Sequence, residues 1–135
     1  MEMSSYEDDT LTARIISCII QVHQTLGAGF VEGVYRRALS IELRKHGLEI
    51  QAERDIRVFY DGHEVGRHRL DFLVEGQVIV ELKTVEALSK AHYAQVRSYL
   101  KATGLQVALL VNFAEERANF RRVISGSPGS PYPLV

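Results

Sequence analysis

Arg69-Leu70-Asp71-Phe72-Leu73-Val74-Glu75-Gly76-Gln77-Val78-Ile79-Val80-Glu81-Leu82-Lys83 is the stretch whose reading decides the fold. Two apolar arms rich in Val, Ile, Leu and Phe flank a turn at Glu75-Gly76-Gln77, which predicts a β-hairpin. Three charged groups interrupt it. Side chains alternate along a strand, so Glu81 and Lys83 share one face while Val78, Val80 and Leu82 take the other. On the first arm Asp71 goes with Arg69 and Leu73, against Leu70, Phe72 and Val74.

Turn length sets the register. A three-residue turn pairs Val74 with Val78 and, counting back, sets Asp71 opposite Glu81. A two-residue turn slips the register by one and sends the carboxylates to opposite faces. The three-residue turn is the expectation, because it gathers the apolar sets on one side and the charged sets on the other. Opposed residues have Cβ atoms about 4.5–5.5 Å apart, where like charges destabilise a sheet. The pair therefore needs a proton, a cation or a nearby lysine. A divalent metal would remove the conflict, and hard Mg²⁺ favours carboxylates, waters and phosphate oxygens. Lys83 could orient or deprotonate a water, or offset charge on a phosphate. Asp, then Glu-x-Lys on the next strand, suits metal-assisted phosphodiester hydrolysis. Taken alone, Glu-x-Lys reads better as the solvated face of an amphipathic hairpin.

Outward from the hairpin, Leu11, Ile15, Cys18, Ile19, Val22 and Leu26 form a helical stripe, predicting a helix from Thr10 to Leu26 closed by Gly27-Ala28-Gly29. Asp8 and Asp9 suit its positive end, and residues 1–9 are expected to be flexible. Cys18 reads as a small buried residue, His23 as a partly exposed one. A second helix is predicted from Phe30 to His46, stopping at Gly47, with Val31, Val34, Ala38, Leu39 and Leu43 on its buried side. Glu32 and Tyr35, three apart, are neighbours on it; from spacing alone, dipole complementation and packing explain them. Glu49 to Tyr60 is extended, Asp61-Gly62 is a strong hairpin signal, and His63 to Val74 returns with Arg67, His68 and Arg69. Those three are equally a phosphate-facing set and a solvated strand.

Beyond Lys83, Ser89 is a predicted N-cap for a helix ending near Ala102, with Gly104 as its stop. Tyr93, Val96 and Leu100 give an apolar stripe. His92, Gln95 and Tyr99 give a second, polar one, able to position a lysine, a water or a phosphate. Gln106 to Phe113 is a near-continuous apolar run, as in a strand covered on both faces, and its crossover from the Glu81 strand predicts parallel pairing. Asn119 to Ile124 predicts a short edge strand. The Pro/Gly/Ser-rich residues 125–135 are expected to be disordered.

The 135 residues fit one domain, placed at 10–124, and 46% hydrophobic with 24% charged residues is ordinary globular composition. One Cys excludes an internal disulfide and a Cys-based zinc site. The N-terminus lacks a signal-peptide pattern and no apolar run reaches membrane-spanning length, so the expectation is a cytoplasmic protein with no membrane partner. A net charge of −1 and pI ≈ 6.5 speak against broad non-specific DNA binding, leaving room for a local basic groove. Walker, dinucleotide and serine- or cysteine-nucleophile motifs are missing from the chain.

Together these pieces resemble a known family. Gly29-Phe30-Val31-Glu32-Gly33-Val34-Tyr35 matches the motif that names the GxxExxY family, which looks like a branch of the PD-(D/E)XK, restriction-endonuclease-like nucleases. Asp71, Glu81-Leu82-Lys83 and Gln95-Val96-Arg97-Ser98-Tyr99 stand where that superfamily has its Asp, its Glu-x-Lys and, in a RecB-like branch, its Gln-x-x-x-Tyr. The resemblance runs from Leu11 to Ile124, and Leu70 departs from the Pro that many members carry there. It implies an α/β fold: two N-terminal helices, an antiparallel three-stranded meander, a helix, a parallel-paired strand and an edge strand. It implies Mg²⁺ or Mn²⁺ held by Asp71 and Glu81 with the Leu82 carbonyl, and Glu32 reaching the same site. Lys83 would be the catalytic lysine, Gln95 and Tyr99 supporting groups, and His92 a lesser candidate. The activity implied is hydrolysis of phosphodiester bonds, in DNA before RNA. A catalytically inactive module of the same fold, binding nucleic acid or a protein, is the alternative. The sequence fits a monomer and a homodimer cutting one strand per protomer equally well.

Overall fold

Sequence order is also spatial order in the sheet. The computed structural model describes residues 3–125, with side chains from Thr10 onward. Its elements are α1 (Met3–Leu26), α2 (Glu32–Lys45), β1 (Ile50–Tyr60), β2 (His63–Val74), β3 (Val78–Lys83), α3 (Lys90–Thr103), β4 (Val107–Asn112) and β5 (Asn119–Ile124). The strands lie β1-β2-β3-β4-β5. β3 and β4 run parallel; the other neighbours are antiparallel. This is the expected α/β architecture, consistent with a restriction-endonuclease-like fold.

The two faces of the sheet are covered by different helices. Phe72, Val74, Val78, Val80, Leu82, Leu109 and Val111 pack with Ile15, Ile19, Tyr35, Leu39 and Leu43 of α1 and α2. Leu70, Ile79, Ala108 and Leu110 pack with Val96, Tyr99 and Leu100 of α3. Every residue of β4 is buried, as its apolar run required. α3 starts where predicted: the Ser89 side chain accepts from the His92 N–H, and the His92 side chain accepts from the Ser89 N–H. Gly104 closes it at φ 75°, a left-handed conformation that glycine adopts without a Cβ clash.

The central hairpin has the three-residue register. Gln77 N–H returns to the Val74 carbonyl at 2.9 Å, and Val74 pairs with Val78, Leu73 with Ile79 and Phe72 with Val80. There the ladder stops. The alternation expected on β2 also fails at this point. Leu70 packs on the α3 side, whereas Phe72 and Val74 pack on the α1–α2 side. Opposite the break, β1 pairs Ala52 with Phe72 and Arg54 with Leu70, leaving Glu53 unpaired at a positive φ of 53°. The kink turns Leu70 to the other face and opens the strands at Asp71.

Three further details differ from expectation: the start of α1, the start of α2 with Val31, and the burial of His23. α1 begins at Met3, not Thr10, because the polar first turns carry no apolar stripe to mark them. Of the expected flexible segment, 1–2 lie outside the described residues, as does the tail 126–135. Val31, expected on the buried side of α2, is its N-cap and is exposed, while Tyr35 packs as expected and is fully buried. Its hydroxyl donates to the Gly27 carbonyl at 2.5 Å and accepts from Phe30 N–H at 3.2 Å, so it pins the α1–α2 loop. His23 is buried rather than partly exposed; its ring stacks on Phe113 and its Nε2 lies 2.8 Å from the Glu115 carbonyl. Among the described residues no helix is long and apolar enough to cross a membrane.

Candidate active site

Where the β2–β3 ladder ends, side chains replace the main-chain rungs. Asp71 N–H donates to Glu81 Oε1 at 2.9 Å. Leu82 N–H donates to Asp71 Oδ2 at 2.8 Å. Each carboxylate thus fills a hydrogen-bonding gap on the other strand, which satisfies buried amides and fixes both acids side by side. Asp71 and Glu81 are both buried, at 8% and 4% exposure.

These acids lie at the floor of a cleft of about 270 Å³ lined by Glu32, Arg36, Glu53, Arg69, Asp71, Glu81, Leu82, Lys83, Gln95 and Tyr99. Glu32, Asp71, Glu81, Lys83, Gln95 and Tyr99, the main candidates from the sequence, are all there. Lys83 is held at both ends: Phe113 N–H donates to its carbonyl at 2.9 Å, and its Nζ donates to Gln95 Oε1 at 3.1 Å. Tyr99 comes from the same α3 face, one helical turn beyond Gln95. His92, the lesser candidate, is used in the cap of α3 and does not line the cleft.

Glu32 reaches the cleft from the first turn of α2, and it brings a residue that sequence reasoning missed. Arg36 donates through Nε to Asp71 Oδ1 at 2.8 Å and through a terminal nitrogen to Glu32 Oε2 at 2.6 Å. The four-residue spacing of Glu32 and Arg36 was a readable helix-pair signal. Nothing local shows that Asp71 lies within reach of the same guanidinium.

Three like charges in a partly dry cleft perturb one another. Burial, then the neighbouring Asp71 charge, pushes the Glu81 carboxyl up to about 8, against weaker opposing help from the Asp71 amide and Lys83. Glu32 is raised by the same two causes. Burial works against the Arg36 charge, but the Asp71 hydrogen bond and the carboxylates outweigh it and hold Arg36 above its ordinary value. Burial, then Glu81 and Asp71, pushes the Tyr99 phenol up to about 12, so it stays neutral. The carboxylate conflict is therefore relieved by a proton on Glu81 and a guanidinium on Asp71.

Among the described residues no three of His, Cys, Asp and Glu already form a metal cage. Between Glu32 and Asp71 stands the Arg36 guanidinium, paired with both. The donor set itself fits a hard divalent cation: adjacent carboxylates on fixed strands, with a third on a helix. The proton and the guanidinium are the positive charges such an ion would replace.

No curated protein matches the chain. The crystal structure of SSO0001 is similar in fold, with a TM-score of 0.56 at 16% identity over 69% of this chain. The matched part is 49% of that protein, so the chain spans about half its length. The family model of the PD-(D/E)XK nuclease superfamily matches residues 9–123, nearly all of the described chain, and the chain belongs to that superfamily.

Proposed function

We propose that the protein is a metal-dependent nuclease that hydrolyses phosphodiester bonds in DNA, and that it belongs to the GxxExxY branch. Nucleases of the superfamily generally use divalent metal ions and act on nucleic acid. The observation that carries the reading is that the Asp71 and Glu81 carboxylates and the Lys83 amine, from adjacent strands, line one cleft.

Asp71, Glu81 and Glu32, with the Leu82 carbonyl, would hold Mg²⁺ or Mn²⁺. A bound ion of this kind offsets the charge that builds on phosphate oxygens and makes a water acidic enough to attack near neutral pH. The chain's own groups do the rest. Lys83, aimed by Gln95, draws the phosphate in and steadies the attacking water as a hydrogen-bond donor. Neutral Tyr99 offers a hydrogen-bond donor on the α3 side. The water oxygen bonds to phosphorus and gives up its proton to solvent, the bond to the leaving oxygen breaks, and that oxygen takes a proton from solvent.

Cleavage of plasmid and linear DNA in Mn²⁺ tests this. Asp71→Ala, Glu81→Ala and Lys83→Ala should each abolish it while circular dichroism shows a folded chain. Cutting by the variants at the parent rate would assign the activity elsewhere. A non-catalytic module of the same fold has one observation on its side, the Arg36 bridge across Glu32 and Asp71. Calorimetric titration with Mn²⁺ separates the two readings: heat that depends on Asp71 supports the enzyme, and its absence supports the module.

A further inference from the structure

A second hollow, of about 370 Å³, opens beside the cleft, between the far end of the β1–β2 hairpin and the last turns of α3. Tyr99 lines both spaces and forms the wall between them. The His68 ring lies against it, centroids 5.0 Å apart. The hollow is walled by Phe59, Tyr60 and Val65, and Tyr60 and Val65 are 72% and 62% exposed. Large apolar side chains left open on a hairpin otherwise crowded with charges are unusual for a solvated strand. Arg57 and Lys101 also line it, so cationic groups accompany the aromatic wall.

That chemistry selects a flat, partly apolar group that carries an anion. A nucleobase with its phosphate has both features: stacking on aromatic rings is tolerant of sequence, and cations hold the backbone. Position agrees. His68 lies three residues before Asp71 on β2, about 10 Å along a strand. A nucleotide here would adjoin the phosphate in the cleft. A base inside a duplex has both faces covered by its neighbours and must leave the stack to enter such a space.

We propose that this hollow takes an unpaired nucleobase of the substrate strand, so that the enzyme acts on nucleic acid with a single-stranded segment beside the scissile phosphate; this rests on the nuclease reading above. Tyr60 and Phe59 supply the stacking surface, and Arg57 and Lys101 hold the attached phosphates. The continuity through Tyr99 joins base recognition to the cleft.

The experiment uses the full chain and fluorescein-labelled oligothymidylate, with a blunt duplex of equal length as control. Anisotropy is read in chelator, where nothing is cut, and cleavage is read in Mn²⁺. The single strand should bind more tightly than the duplex. Tyr60→Ala should weaken it by about fivefold to a hundredfold, Tyr60→Phe should restore it, and duplex binding should hold. Val65→Glu, which sets a negative charge in the hollow, should also weaken it. If both variants bind oligothymidylate like the parent while the parent cuts DNA, the hollow is not a base site and the nuclease reading survives. Tyr60-dependent binding without metal-dependent cleavage would uphold the base site and overturn the nuclease reading. If Tyr60→Ala instead dissolves a dimer in sedimentation without changing oligothymidylate binding, the hollow belongs to a second copy and the proposal falls.

Discussion

On the sheet wall of the cleft, Asp71 and Glu81 are tied to main-chain amides of the neighbouring strand. On the helix wall, Glu32 and Arg36 are held by side-chain ion pairs alone, and their side chains are 36% and 24% exposed. The sheet wall cannot move without breaking buried backbone bonds. The helix wall can change partners by rotating side chains. A fixed wall suits the groups that must be placed to within a fraction of an ångström. On the proposed function, an adjustable wall would suit a counter-ion that leaves when a metal binds, and a third acid that swings in.

The largest effect should come from the sheet wall. Glu81→Gln keeps the Asp71 amide's acceptor but removes the charge, and DNA cleavage should fall by more than about a hundredfold, beyond the ~10–100-fold typical of groups that only support a ligand. Stability should move the other way. The folded carboxyl titrates at about 8, above its ordinary 4.5. The protonated form is thus favoured by folding, and the stability tied to it is intact below pH 4.5 and lost as pH rises through 8. In chelator, Glu81→Gln should melt with the parent near pH 4 and above it at pH 9, by an amount worth a few kcal/mol. Equal melting curves at high pH would show that Glu81 is not held in a proton-favouring place.

Next is the support of Lys83. Gln95→Ala frees its ammonium and should slow cleavage about tenfold with little change in metal affinity; no slowing would show that Gln95 does not aim the lysine. The helix wall should respond differently. Arg36→Ala removes the charged donor to Asp71 and should lower stability in chelator by ~1–3 kcal/mol, yet strengthen Mn²⁺ binding in calorimetry. Weaker Mn²⁺ binding in that variant would erase the contrast between the walls, because Arg36 would then be helping the ion rather than yielding to it. The smallest effect should be Tyr35→Phe, which lies behind the helix wall. Loss of the bond to the Gly27 carbonyl should cost about 1 kcal/mol in urea unfolding and leave cleavage nearly unchanged. A large loss of activity would give this tyrosine a role in the chemistry.

The same contrast explains what could be read from sequence. Turn length was enough to bring Asp71 beside Glu81 and Lys83, because a three-residue turn fixes the hairpin register locally, although strict alternation along β2 broke between Leu70 and Phe72. The kink at Asp71 was not legible, since it depends on Glu53, which is far away in the chain, and on carboxylates replacing ladder bonds. Glu32 came from family resemblance alone. Arg36 was missed because its second partner, Asp71, is 35 residues away. His23 was misjudged for a similar reason, as its cover is Phe113 on a distant segment. His92 carried a local signal that went unused: it stands three residues after Ser89, the spacing of a capping box.

The account stands on one claim, that Asp71 and Glu81 form the fixed half of a cation site. Anomalous diffraction at the manganese edge, from crystals soaked in Mn²⁺, tests it directly. The expected result is a peak in contact with both carboxylates, with Arg36 drawn off Asp71. A peak elsewhere, or none there with Arg36 still bound to Asp71 at saturating Mn²⁺, would contradict it.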